Sequence, residues 1–258
     1  RKNVRTENIH LVYFSATYTT RKVMRQIAAQ IEGRKTEYDI TRSAPGAEVT
    51  MDDGDLLVVG MPVYSGRIPA SALPALRKFR GNGTPAVVVC VYGNRDYDDT
   101  LLEMKDILTE RGFTVIAGLA AIAQHSIAPS IAAGRPDEKD RHELREAARA
   151  IWEKLEDLAA PADGQVEVKG KRPYKEYGGS AMKPTADENC VGCGTCAEQC
   201  PVKAIPAEAP DTTDRERCIS CMRCIKVCPA GARKLDPAGI AAVEQRLSKI
   251  CGERKENE

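Results

Sequence analysis

The chain has 258 residues, of which 38 are lysine or arginine and 37 are aspartate or glutamate, so its formal net charge is +1. Because the two signs balance, the chain has no large excess of positive charge that would favour binding to nucleic acid or to an anionic membrane surface. No apolar stretch approaches the roughly 20 residues of a membrane-spanning helix, and the length suits one full-sized domain with a smaller one.

The first 160 residues alternate between strand and helix patterns. Continuous apolar runs, typical of buried parallel strands, alternate with segments that carry apolar residues at helical spacing. The predicted strands are 9–14, 36–40, 56–60, 86–92 and 114–121, and the predicted helices are 21–31, 71–79, 101–111 and 138–158. Five strands joined by crossover helices predict an α/β domain with a doubly wound parallel sheet over residues 1–160.

The loop after the first predicted strand is rich in hydroxyl groups, reading Ser15-Ala16-Thr17-Tyr18-Thr19-Thr20 before a helix begins. Hydroxyls and free backbone N–H groups at a helix N-terminus suit a terminal phosphate. Because the loop has no lysine or aspartate to support magnesium, it favours a phosphate monoester over a nucleoside triphosphate. A helix N-cap explains any one of these hydroxyls but hardly four within six residues.

This loop resembles the FMN phosphate loop of flavodoxins, Ser/Thr-x-Thr-Gly-x-Thr, with Tyr18 in place of the glycine. Two later loops stand where flavodoxin-like proteins hold the isoalloxazine ring. The resemblance implies that FMN is bound by Ser15, Thr17, Tyr18, Thr19 and Thr20, by Pro62, Val63, Tyr64, Ser65, Gly66 and Arg67, and by Tyr92, Gly93, Asn94, Arg95 and Tyr97.

The resemblance also implies roles within the two later loops. Tyr64 and Tyr97 are expected to stack on or edge the flavin ring. Arg67 or Arg95 is expected to stabilise the negative charge of the reduced flavin. No acid or base triad is visible, so no catalytic residue is predicted; His125, after the last strand, is either a proton donor or an ordinary polar loop residue.

The composition changes after residue 160. Residues 161–185 are rich in glycine and proline without helical or strand periodicity, which predicts a linker between two domains. Pro237 then opens a predicted C-terminal helix within residues 237–258, which we expect to pack back on one of the domains.

Eight of the ten cysteines lie within the predicted domain of residues 186–236, in two copies of the spacing C-x2-C-x2-C-x3-C-P. The copies begin at Cys190 and Cys218. Zinc sites use C-x2-C pairs and do not require a third and a fourth cysteine at this spacing. A disulfide framework is poorly supported, because the N-terminal part of the chain has the pattern of an ordinary α/β domain. The spacing is that of bacterial two-cluster ferredoxins, which predicts a small α+β domain with two 4Fe-4S clusters.

In such ferredoxins the fourth cysteine of each run ligates the other cluster. The resemblance therefore implies two crossed ligand sets. Cluster I is expected to be held by Cys190, Cys193, Cys196 and Cys228, and cluster II by Cys218, Cys221, Cys224 and Cys200.

As a whole the chain resembles the fused flavodoxin and two-cluster ferredoxin proteins of anaerobes, sometimes called EFR-type ferredoxins. The resemblance implies an iron-sulfur flavoprotein that passes electrons between two 4Fe-4S clusters, FMN and an external redox protein. The alternatives are an FMN-dependent reductase of a quinone, an activated alkene or free flavin, and a cofactor-binding redox sensor. Residues 1–10 lack the apolar core of a secretory signal, and exposed clusters are damaged by oxygen, so a cytoplasmic location in an anaerobe is expected.

Overall fold

The computed structural model describes residues 3–258, and within this range the chain forms nine strands, seven α-helices and two short 3-10 helices, Ala70–Ala72 and Pro161–Gly164. In chain order these are β1 (Asn8–Tyr13), α1 (Thr19–Ala28), β2 (Arg34–Asp39), β3 (Val49–Thr50), β4 (Asp55–Pro62), α2 (Leu73–Leu76), β5 (Phe79–Arg80), β6 (Thr84–Tyr92), α3 (Thr100–Glu110), β7 (Phe113–Ile122), α4 (Glu138–Asp157), β8 (Thr185–Ala186), α5 (Thr195–Gln199), α6 (Arg223–Val227), β9 (Arg233–Lys234) and α7 (Pro237–Cys251). Between residues 3 and 258, no helix combines the length and the apolar character needed to cross a bilayer.

Five of the strands form one parallel sheet in the order β2-β1-β4-β6-β7. Counted along the chain, the order of these five is 2-1-3-4-5, which is the flavodoxin-like doubly wound order. The central strands β4 and β6 are buried almost throughout because helices cover both faces of the sheet. The edge strand β2 is largely exposed and polar, so its apolar pattern in the sequence was weak.

Helices α1 and α4 cover one face of the sheet, and α3 covers the other. The approach of α1 is close at Gly60 of β4, where an added Cβ would lie 2.5 Å from the Met24 sulfur. The helix predicted over residues 71–79 is wrong in its extent. Only one α-helical turn forms, with Pro74 near its start where proline is tolerated, and Phe79 instead begins β5.

The connecting segment, residues 161–185, lies along the α/β domain. The Val166 backbone N–H donates to a carbonyl of β7 at 3.1 Å. The Asp99 carboxylate accepts from the backbone N–H groups of Lys171 and Lys175, at 2.8 and 2.7 Å. The segment lacks helical and strand periodicity, yet groups of the α/β domain form hydrogen bonds with its backbone. These bonds hold the segment in one position along the domain.

Helix α7 and the tail that follows it pack back on the α/β domain, as expected. Leu247 and Cys251 form an apolar cluster with the loop after β7. The Asn94 side-chain amide donates to the carbonyl oxygens of Cys251 and Glu253, at 2.7 and 2.8 Å. The backbone of Glu258 pairs with β7 through two hydrogen bonds of 2.7 and 3.0 Å, which covers the free edge of that strand.

The cysteine-rich domain consists of two similar halves. Each half has a five-residue helix, α5 or α6, that follows a residue in the left-handed conformation, Gly194 (φ 74°) or Met222 (φ 64°). The short strands β8 and β9 pair antiparallel. The repeated spacing in the sequence thus produces a repeated local structure.

Candidate functional site

A cavity of about 260 Å³ opens at the carboxyl edge of the sheet, where doubly wound folds hold ligands. Its walls come from the loops after β1, β4, β6 and β7, from the connecting segment, from α7 and from the second cysteine run. Of the predicted flavin contacts, the cavity is lined by Ser15, Thr17, Thr19, Thr20, Pro62, Val63, Tyr64, Ser65, Tyr92, Gly93 and Arg95. The three predicted loops therefore converge on one site.

The loop after β1 presents its hydroxyls at the N-terminus of α1. The Ser15 hydroxyl accepts from the Arg21 backbone N–H at 3.0 Å, and the Ser15 N–H donates to the Thr41 hydroxyl at 2.8 Å. Tyr18 has φ 69°, in the left-handed region that glycine adopts more readily, and it does not line the cavity. The first turn of α1 carries no acidic residue, so the positive end of the helix dipole is free for an anion.

The loop after β4 brings an aromatic ring to the cavity. Tyr64 packs edge-on against Phe14, with ring centroids 6.1 Å apart. Burial, followed by the neighbouring Cys221, raises the pKa of Tyr64 well above its ordinary value, so the phenol stays protonated. Gly66 (φ 82°) does not line the cavity, and a Cβ added to it would lie 2.5 Å from the Asp98 carboxylate.

His125 lies in the wall formed by the loop after β7. Its Nδ1 accepts from the backbone N–H groups of Ile127 and Ala128, at 3.2 and 3.1 Å. Burial, with repulsion from Arg95 and Arg246, lowers the pKa of His125 to about 4. The ring is therefore neutral near pH 7, with its proton on Nε2. The cationic side chains on this wall are Arg246 and Arg95, and Arg95 forms an ion pair with Asp98.

Besides Tyr18 and Gly66, three predicted contacts lie outside the cavity, and these three serve packing within the chain. The Tyr97 hydroxyl donates to Glu258 at 2.6 Å, and its ring is buried in the core. Asn94 instead holds the end of α7. The Arg67 guanidinium forms a two-pronged ion pair with Glu103, at 2.7 and 2.8 Å. Of the two arginines expected near the flavin, Arg95 is the one that lines the cavity.

Several lining residues were missed by the sequence analysis. Tyr177 of the connecting segment, Arg246 of α7, and Ile219 and Cys221 of the second cysteine run all contribute to the walls. None has a local sequence signal for flavin binding, because each reaches the site only through the folding of distant segments onto the sheet. Tyr177 is one of two tyrosines, with Tyr174, in a largely polar, glycine-rich stretch, and nothing in the sequence distinguishes the one that lines the cavity.

The eight cysteines of the repeat separate into two groups of four. One depression is lined by Cys190, Cys193, Cys196 and Cys228, and another by Cys200, Cys218, Cys221 and Cys224. These are the same two sets of four that the resemblance implies, and which cysteines ligate which cluster stays a prediction. Within residues 3–258 no three His, Cys, Asp or Glu side chains are close enough to hold a single metal ion.

The local environment of the cysteines fits an iron-sulfur cluster. Burial raises the pKa of Cys221 and of Cys224 to about 12, so thiolates at these positions require a nearby positive charge such as iron supplies. The Ala204 N–H donates to the Cys200 sulfur at 3.3 Å, and the Ala232 N–H donates to the Cys228 sulfur at 3.2 Å. The fourth cysteine of each run thus accepts a hydrogen bond from the backbone N–H group of the residue four positions after it. Such a bond stabilises a sulfur atom that carries negative charge.

Comparisons with known proteins bear on both parts of the chain. Residues 189–232 match the family model described as a 4Fe-4S dicluster domain. Among curated proteins, none matches the sequence.

Solved structures resemble the α/β part. They include a flavodoxin from the domain Archaea (15% identity, 57% of this chain and 98% of that chain, TM-score 0.38). A flavodoxin of Streptococcus pneumonia TIGR4 gives 15% identity over 57% of this chain and 99% of its own, with a TM-score of 0.41. An NADH:FMN oxidoreductase in its apo form gives 15% identity over 60% of this chain and 92% of its own, with a TM-score of 0.44. From the strand order of the sheet and the family match at the cysteine repeat, the chain is a fusion of a flavodoxin-like α/β domain with a 4Fe-4S dicluster domain.

Proposed function

We propose that the chain is an electron carrier that passes electrons between two 4Fe-4S clusters, FMN bound in the cavity and an external redox protein. One observation carries this proposal: Cys221, in the second group of cysteines, lines the same cavity as the hydroxyl-rich loop and Tyr64. Bound FMN exchanges one or two electrons, whereas each cluster exchanges one. A shared wall between the two sites is the arrangement that such an exchange requires.

The residues of the cavity fit FMN at both of its ends. Thr17, Thr19 and Thr20 present hydroxyls beside the N-terminus of α1, which suits the phosphate. Arg246 lies at the wall beside His125 and supplies positive charge for the electron-rich reduced ring, and Arg95 lies there in an ion pair with Asp98. Tyr64 offers an aromatic edge between these ends.

Contacts between the two domains support transfer within one chain. The Arg42 guanidinium donates to the Glu198 carbonyl oxygen of the dicluster domain at 2.7 Å, and the Ser65 hydroxyl donates to the Gly179 carbonyl oxygen of the connecting segment at 3.2 Å. Ile219 packs against the core of the α/β domain. These contacts hold the second cysteine group beside the cavity, so electron exchange does not depend on a diffusional encounter of the two domains.

The features of the cavity favour an electron carrier over a reductase of small substrates. Tyr177, Met182 and Leu247 line the cavity from the connecting segment and α7, which narrows the access of a substrate to a bound ring. His125 is neutral near pH 7 and is held through Nδ1, so it does not offer an imidazolium proton to a substrate.

Anaerobic purification followed by iron, sulfide and flavin analysis tests the proposal. Two 4Fe-4S clusters and one flavin give about eight iron, about eight sulfide and about one FMN per chain. Reduction of the clusters by a one-electron donor should be followed by bleaching of the flavin absorbance. A chain that holds its clusters but binds no FMN from a tenfold excess contradicts the proposal.

A further inference from the structure

Arg223 connects the dicluster domain to the proposed phosphate loop. It lies in the second cysteine run between Cys221 and Cys224, and it is only 6% exposed. One terminal nitrogen donates to the carbonyl oxygens of Ser15 and Ala16, at 2.9 and 3.3 Å. Its guanidinium is therefore fixed at the base of the hydroxyl-rich loop, more than 200 residues away in the sequence.

The same guanidinium is also held within the dicluster domain. Its second terminal nitrogen donates to the Gln199 side chain at 3.0 Å, and Gln199 directly precedes Cys200. Arg223 thus directly precedes Cys224, a proposed ligand of cluster II, and contacts Gln199, which directly precedes Cys200, another proposed ligand. Its position depends on the fold of the loop that surrounds cluster II.

Tyr18, which replaces the flavodoxin glycine, completes this contact. Its ring has the Arg223 guanidinium at 4.9 Å from the centroid and the Arg21 guanidinium at 4.7 Å. Such cation–π contacts compensate for the left-handed backbone of Tyr18. The departure from the flavodoxin motif therefore coincides with a contact that only a fused dicluster domain supplies.

The polarity of the contact determines its effect on the loop. Arg223 binds the carbonyl oxygens of Ser15 and Ala16. It therefore orients these two peptide groups, whose N–H donors belong to Ala16 and Thr17 and point away from the guanidinium. It also places a positive charge beneath a loop that has no lysine. Arg223 does not line the cavity, so any action on a ligand passes through the loop.

We propose that Arg223 is a positioning residue that couples the loop of cluster II to recognition of the flavin phosphate; this inference rests on the proposed function. When the second cysteine run is folded around its cluster, Arg223 holds the Ser15–Thr20 loop in the conformation that binds phosphate. By thermodynamic linkage, the bound phosphate stabilises the loop of cluster II to the same extent.

The test compares FMN with riboflavin, which lacks the phosphate. The full chain, with its clusters intact and its flavin removed, is titrated anaerobically with each flavin while flavin fluorescence is followed. Arg223→Met should weaken FMN binding about tenfold, the effect of losing hydrogen bonds from a charged group, and change riboflavin binding less than about twofold. Arg223→Lys, which keeps the charge but loses the planar fork, should give an intermediate loss.

Lys226→Met is the matched control, because it removes an exposed positive charge from the same short helix. It should leave both affinities within about twofold of wild type. Paramagnetic resonance of each variant checks that cluster II is present, and if Arg223→Met fails to assemble it, Arg223→Lys decides the question. A phosphate-specific loss supports the inference, and unchanged FMN binding or an equal loss for both flavins overturns it.

The reciprocal measurement uses a chelator. Bound FMN should slow the loss of cluster II iron in the wild type more than riboflavin does, and this difference should disappear in Arg223→Met. Equal protection by FMN in the two proteins overturns the coupling. A different result would contradict the proposed function itself, namely a wild-type chain that binds neither FMN nor riboflavin.

Discussion

Cys221 and Tyr64 line one cavity although they belong to different domains, and the nearby cysteine is one cause of the raised pKa of the tyrosine. Cys221 belongs to the group of four cysteines assigned to cluster II, and Tyr64 belongs to the loop expected to hold the flavin ring. The structure thus brings together two sequence signals that lie more than 150 residues apart. The second group of four cysteines, rather than the first, therefore contributes to the wall of the cavity proposed for the flavin.

The crossed ligand sets predict the effect of a single substitution. Cys200→Ala should abolish cluster II and keep cluster I, because Cys200 lies with Cys218, Cys221 and Cys224. Iron and sulfide per chain should fall by about half. Paramagnetic resonance of the reduced protein identifies the remaining cluster, and loss of cluster I alone would refute the crossed assignment. Cys90→Ala, in a buried strand and lining neither depression, should keep both clusters.

The hydroxyl-rich loop predicts the identity of the flavin. A phosphate site at one helix N-terminus should select FMN over riboflavin and FAD. Thr17→Ala should weaken FMN binding about tenfold and leave riboflavin binding nearly unchanged. Thr50→Ala removes an exposed hydroxyl from a remote strand and serves as the control. Mass spectrometry of the released flavin completes the test, and FAD at full occupancy would contradict the prediction.

Arg246 is predicted to tune the flavin potential. Its positive charge on the cavity wall should favour the reduced flavin, so Arg246→Gln should lower the two-electron midpoint potential by about 30 mV, equivalent to about 1.4 kcal/mol. Arg246→Lys keeps the charge and should shift the potential less. Potentiometric titration measures the effect. An upward shift in Arg246→Gln would show that this arginine does not face the ring.

The lowered pKa of His125 predicts a pH dependence of stability. Its pKa is about 4 in the folded chain and about 6.5 when unfolded, so the unfolded chain binds more protons between these values. Stability due to the neutral ring is present above about pH 6.5 and is lost as the pH falls towards about 4, by about 2 kcal/mol given its partial exposure.

Thermal unfolding of the cluster-loaded chain measures this dependence. His125→Asn should unfold with a midpoint that falls less than the wild-type midpoint between pH 7 and pH 4.5. The exposed His142→Asn should follow the wild type. Parallel curves for the wild type and His125→Asn would show that His125 does not titrate in this window.

The docked domains predict electron transfer that is independent of protein concentration. After rapid reduction of the clusters by a low-potential donor, flavin reduction should follow at one first-order rate over a tenfold dilution, because the partners share a chain. Stopped-flow absorbance under anaerobic conditions measures the rate. If the rate falls in proportion to dilution, the clusters and the flavin exchange electrons with different external partners.

The sequence by itself determined the features that depend on local spacing. The cysteine spacing predicted the dicluster domain and the crossed groups, because three of each four ligands lie on one short loop. The apolar runs predicted the five-stranded sheet, since buried parallel strands must be apolar on both faces. The hydroxyls from Ser15 to Thr20 marked one end of the cavity for the same local reason.

Only the tertiary structure decided which distant residues reach the site. Tyr97 and Arg67 have suitable chemistry and suitable positions in their loops, yet Glu258 and Glu103 bind them away from the cavity. Arg246 and Arg223 carry no local signal and still reach the cavity wall and the base of its loop. The physical reason is that long-range contacts depend on how separate segments pack and satisfy one another's polar groups, which residue spacing along the chain does not encode.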